Sequence, residues 1–212
     1  MKEFLGVVKV VAFGCMLLGV FAAASNLVPQ AQGYPPVIRD LRYVNTVEKM
    51  IDLGSEIFGT EEEPGRGTCP MCHRRIGGRA PVMDGVSFRA LNRIASATYN
   101  GKATTMEEYI RESEQCPSCF VVPGYGQKGS HDKTSPMEVT VNPPTGLTPI
   151  EVDSVIAFFQ DRDGHDQTAV PITDPDTDLR WDYDNALKNG FLPYKATAAE
   201  AGNVPRPDEL TK

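Results

Sequence analysis

The run Cys69-Pro70-Met71-Cys72-His73 constrains this chain more than any other stretch. Cys-x-x-Cys-His is the pattern of a covalent c-type haem attachment site. Thiols at this spacing can add across the two vinyl groups of one porphyrin. His73 is then held beneath the ring, where its imidazole can bind the iron from the proximal side. The competing explanation is a disulfide or a zinc half-site that happens to precede a histidine. No second Cys/His pair of zinc-finger spacing accompanies the run, so one haem c is the expected cofactor.

At 212 residues the chain suits one compact domain with appendages. Its formal net charge of -7 disfavours nucleic acid as a partner. The five cysteines divide into Cys69/Cys72, Cys116/Cys119 and a lone Cys15. Haem attachment needs reduced thiols and takes place outside the cytoplasm in bacteria, so the N-terminus matters. Residues 1–28 are read as a membrane anchor, with a signal peptide as the alternative. In the first reading Val7 to Val28 spans the bilayer and Lys9 snorkels to the cytoplasmic face. In the second, Val10 to Phe21 is the apolar core and Ala22-Ala23-Ala24 the cleavage site. The length of the apolar run favours the anchor. Positive charge at the front puts the rest of the chain outside in either case. Ala12-Phe13-Gly14 is a poor lipobox for Cys15.

Residues 29–44 read as an extended linker, 45–165 as the haem domain, and 166–212 as a Pro- and Asp-rich tail. Asn45-Thr46-Val47-Glu48 has the form of a helix start, and Val47, Met50, Ile51, Gly54 and Phe58 follow on one face. Ser87 to Ala97 shows helical spacing in Phe88, Leu91 and Ile94. A third helix opens at Thr104 or Thr105, with Glu107 and Glu108 in capping-box positions, and stops near Pro117. Phe120 to Leu147 is a long loop that needs something to organise it, and a haem face would do so. Thr148-Pro149-Ile150-Glu151 starts the last helix, with Val152, Val155, Ile156 and Phe159 as its stripe and Asp163-Gly164 as its end. Trp181, Tyr183, Phe191 and Tyr194 make the tail too aromatic for an inert segment, so it is expected to pack on a partner subunit or back on the domain.

This order, together with Gly54 and Phe58, Pro81, Ser135-Pro136-Met137 and the helix bearing Phe158 and Phe159, resembles the class I cytochromes c over roughly residues 45–165. The resemblance implies an all-α fold around one haem, with the terminal helices crossing at the glycine and aromatic positions. It implies that the Pro81 carbonyl accepts the Nδ1 hydrogen of His73 and that a methionine supplies the sixth ligand. The match looks closest to membrane-anchored cytochrome c subunits of bc-type, quinol-oxidising respiratory complexes. Pro29-Gln30 after the anchor, Tyr109 to Ser113, and Val121 to Tyr125 carry that part of the likeness. The partners it implies are redox proteins or subunits of such a complex, with no small-molecule substrate.

The distal ligand can also be weighed from the residues. Met71 lies between the thiols, Met50 on a packing face, Met83 close behind His73, and Met106 in a helical first turn. Met137 lies in the long loop behind a stiffening proline, and His131 is its rival. With both axial positions filled, the chain is an electron carrier and no enzyme. An open distal position would instead suit a gas sensor or a peroxidase-like subunit, and a mainly structural subunit is a third reading. Cys116-Pro117-Ser118-Cys119 is followed by Phe120 in place of a histidine, so it is read as a disulfide, with a redox-active dithiol as the alternative. Arg66, Arg74, Arg75 and Arg79 could pair with haem propionates, dock an acidic partner, or form a solvated patch.

Overall fold

The computed structural model describes residues 2–27, 40–142, 145–182, 185 and 188. The chain divides into two units, Met1–Pro35 and Pro36–Lys212. The first contains helix α1 (Lys2–Leu27). Among the described residues no helix is long and apolar enough to cross a membrane. Val28, several side chains of the expected span, and most of the expected linker lie outside the described residues.

The second unit is all-α, with no strand among its described residues. It holds α2 (Val47–Phe58), α3 (Val86–Ile94), α4 (Met106–Gln115) and α5 (Pro149–Asp163), with short 3-10 turns at Cys69–Met71 and Leu179–Trp181. Local chemistry sets most of the boundaries. Thr46, not Asn45, caps α2, accepting from Lys49 N at 3.3 Å, while the Asn45 side chain accepts from Lys49 Nζ instead. Thr105 with Glu108 and Thr148 with Glu151 form reciprocal capping boxes. Gly164, left-handed at φ 68°, closes α5.

The core lies where α2 crosses α5. A β-carbon at Gly54 would overlap the Ser154 carbonyl and come within 2.8 Å of Phe158 Cβ, so only glycine lets the two backbones approach this closely. Beside the crossing, Phe58 meets Phe158 and Phe159 at 5.7 and 5.4 Å between ring centroids, the latter edge-on. The Arg162 guanidinium lies over all three rings, nearest Phe159 at 4.9 Å. Met50, Leu53 and Ile57 of α2 and Ile150, Val155 and Ile156 of α5 complete the centre.

Two expectations change. The stripe of α3 is not Phe88, Leu91 and Ile94. Phe88 and Leu91 are exposed, and Val86, Ser87 and Ala90 are buried instead. Small residues bring α3 close enough for Ser87 Oγ to donate to the Phe159 carbonyl. The helix start, which has only Gly85 in the capping position, is satisfied from afar: Asp163 accepts from Gly85 N at 2.9 Å and Ser87 N at 3.0 Å. The folded core also overruns 45–165 at both ends. Leu41 and Val44 are buried before α2, and Ile172 is fully buried after α5, its N–H donating to the Val44 carbonyl at 3.0 Å. Arg180 pairs with Asp153 at 2.8 Å, and Trp181 packs on the core beneath Arg42. Of the two courses expected for the tail, residues 165–182 pack back on the domain. Tyr183, Phe191 and Tyr194 lie outside the described residues.

Candidate functional site

The segment leading to Cys69–His73 is fixed to the end of α2 before it turns. Gly67 N donates to the Ile57 carbonyl at 2.9 Å, and a side chain at Gly67 would press on Cys69 Sγ. Thr68 is left-handed at φ 51°, a conformation uncommon away from glycine, and it starts the 3-10 turn. His73 N then donates to the Cys69 carbonyl at 3.0 Å, and Ala80 N returns to the Cys72 carbonyl at 3.2 Å. Cys69 and Cys72 are half-buried and unpaired, Pro70 is buried between them, and Met71 is exposed.

His73 Nδ1 lies 2.5 Å from the Pro81 carbonyl. A carbonyl only accepts, so Nδ1 carries the proton and Nε2 keeps its lone pair. Burial pushes the imidazole below its usual range, against the pull of the Pro81 bond and helped by the Arg93 charge. A neutral ring with Nε2 unprotonated is the form that binds iron. Burial, reinforced by the Glu114 carboxylate, pushes the Cys69 thiol far above its ordinary range. Arg79 donates to Cys72 Sγ from Nε and Nη2 at 3.2 and 3.1 Å.

Met137 is half-buried in the loop between α4 and α5, its N–H donating to Ser135 Oγ at 3.1 Å. The rival ligands are placed elsewhere. Met50 and Met106 are fully buried in the core, and Met83 packs against it. His131 is exposed on a turn with φ 53°, followed by Asp132, whose carboxylate accepts from Gly124 N and Gly126 N. Cys116 and Cys119 form a disulfide. The basic residues around the motif are partly spent: Arg66 pairs with the buried Glu151 and donates to the Thr145 carbonyl, and Arg75 pairs with Asp84 at 2.6 Å. The donor set therefore fits a c-type haem, with Cys69 and Cys72 for the thioethers, His73 Nε2 for one face, and Met137 on a separate arm.

Glu114 escaped the sequence reading. It is fully buried at the end of α4, and burial pushes its carboxyl upward while Thr140 Oγ1 donates to it. The signal was available, since Glu114 follows Met106 and Ile110 at helical spacing on the buried face. Asp163, which caps α3, carried no such signal because its partners lie in a distant segment.

No protein family, curated protein or solved structure matches the chain.

Proposed function

We propose that this chain is a monohaem c-type cytochrome of the class I kind, carrying single electrons on the outer face of a bacterial cytoplasmic membrane. Cys69 and Cys72 would hold the haem covalently, His73 would bind its iron proximally and Met137 distally. The observation that carries the reading is the bond from His73 Nδ1 to the Pro81 carbonyl, inside a loop whose two cysteines stay unpaired. When bound, the haem supplies a one-electron Fe(II)/Fe(III) couple. The chain's own residues do the rest. Pro81 holds the imidazole in one tautomer and one orientation, which keeps Nε2 a steady ligand. The Met137 thioether raises the potential and keeps water and small gases from the distal position. The exposed turn under His131 supports Met137 over that rival.

The apolar run from Val7 to Val28 in the sequence supports a membrane tether, which would raise the local concentration of the carrier at its partners. The resemblance to anchored cytochromes supports a setting within or beside a quinol-oxidising respiratory complex. The direct test is spectroscopic. The unfolded protein keeps its haem absorbance, and replacing Cys69 and Cys72 with alanine removes it. The ferric protein shows a weak band in the red from sulfur-to-iron charge transfer, lost in Met137→Ala and kept in His131→Ala. A wild-type protein without haem would end the proposal. One without the band, whose reduced form binds CO readily, would be a sensor or peroxidase-like subunit instead.

A further inference from the structure

The arm carrying Met137 hangs from the end of α4 at two points. Ahead of the methionine, Ser135 N donates to Ser118 Oγ at 3.0 Å, and Ser135 Oγ accepts in turn from Met137 N at 3.1 Å. Behind it, Thr140 N and Oγ1 donate to the Glu114 carbonyl at 3.1 and 3.3 Å, and Oγ1 reaches the Glu114 carboxyl as well. The first point exists because of a cross-link. Cys116 terminates α4, the disulfide to Cys119 closes a tight turn, and Ser118 sits exposed at its tip over the buried Pro117. Cys119 N donates to the Cys116 carbonyl at 2.8 Å within the turn, and Phe120 beyond it packs on Tyr99 and Tyr109. Both cysteines are half-buried rather than sealed in the core.

We propose that Cys116–Cys119 is a second redox site, exchanging two electrons with an external dithiol, and that its state sets how firmly Met137 is held. The inference rests on the reading of Met137 as distal ligand. In the exchange a thiolate of the external dithiol attacks one sulfur of the disulfide, forming a mixed disulfide and releasing the other sulfur as a thiolate. The second thiol of the reductant then displaces the first sulfur. The external dithiol becomes a disulfide, and Cys116 and Cys119, with protons from water, become two thiols. The location says what kind of reductant is needed. At a helix C-terminus the backbone carbonyls disfavour a thiolate. Poorly stabilised thiolates favour the disulfide, so a low-potential dithiol suits this site and a monothiol such as glutathione does not. Reduction opens the turn, frees Ser118 from Ser135, and leaves the arm held only from behind the methionine, by Thr140 and by Val139 and Val141 on the core.

The test uses the full haem-loaded protein and dithiothreitol as the probe. Thiols are alkylated under native conditions, and intact mass counts the labels. CO binding is then measured on ferrous protein, and the red band on ferric protein after reoxidation, with the disulfide intact and with it opened. The expected result is two labels more with the disulfide opened than with it intact, Cys15 being labelled in both, together with a weakened red band and CO binding increased by about tenfold or more. Ser118→Ala, which keeps the cross-link and removes the hydrogen bond, should show part of the same increase. Resistance of the disulfide to dithiothreitol in the native protein overturns the proposal. So does a red band and CO inertness that survive its opening. If the red band is absent while the disulfide is intact, it is the Met137 assignment that has failed.

Discussion

At single residues the chemistry is sharpest where a local pattern meets a distant partner. His73 and Pro81 are close in sequence, and their bond could be expected from the likeness to a known family. The burial of Glu114 could be read from helical spacing, but its partner Thr140 and the partners of Asp163 are brought near only by folding. Glu114 gives a pH prediction with a definite sign. Burial holds its folded carboxyl above the usual range, so its contribution to stability is full below the unfolded value of about 4.3 and is lost as pH rises through the folded value. Glu114→Gln keeps a group able to accept from Thr140 and removes that loss. In urea denaturation the variant should gain on wild type as pH rises above the unfolded value, and a gap that stays constant would contradict the assignment. Asp163, held below its ordinary range by the Ser87 and Gly85 amides against the cost of burial, acts in the opposite sense. Its replacement by alanine should cost about 1–2 kcal/mol, by analogy with lost helix caps.

Helix ends proved legible because capping is local: Thr105, Thr148, Pro149 and Gly164 all act where their types predict. Helix faces were less so. In α3 the spacing of Phe88, Leu91 and Ile94 pointed to one side, yet Ser87 and Ala90 are inside because a close approach to α5 favours small side chains. The same demand governs Gly54. Because the obstacle there is the Ser154 backbone rather than the end of a flexible side chain, Gly54→Val should force α2 and α5 apart. We expect a loss of about 1–3 kcal/mol or more in urea denaturation. Ser55→Val on the exposed side of α2 should cost far less.

For the whole molecule, the folded domain is larger than the recognisable pattern. Nothing in the periodicity of residues 165–182 marks them as core, since they form no regular helix beyond a single 3-10 turn and are held by isolated anchors. Ile172 is the strongest of these, and Ile172→Ala should cost about 2–4 kcal/mol. Ending the chain after Gly164 should lower stability further. It removes Ile172, Trp181 and Arg180 together and uncovers Asp153 and Gln160, which are buried in the intact domain. A truncated protein with an unchanged urea midpoint would show that the segment contributes nothing.

The bond from Ile172 to Val44 has a topological consequence. Ile172 lies beside Val44 and, farther out, Arg42 lies over Trp181, so the segments leading into and out of the core run side by side. Proteins with neighbouring ends tolerate being reopened elsewhere and rejoined across the old gap, and they can be spliced into a loop of a host without prising that loop apart. A circular permutant linked across Asp40 and Asp182, which keeps Leu41 and Trp181 in place, should therefore still build the α2–α5 crossing.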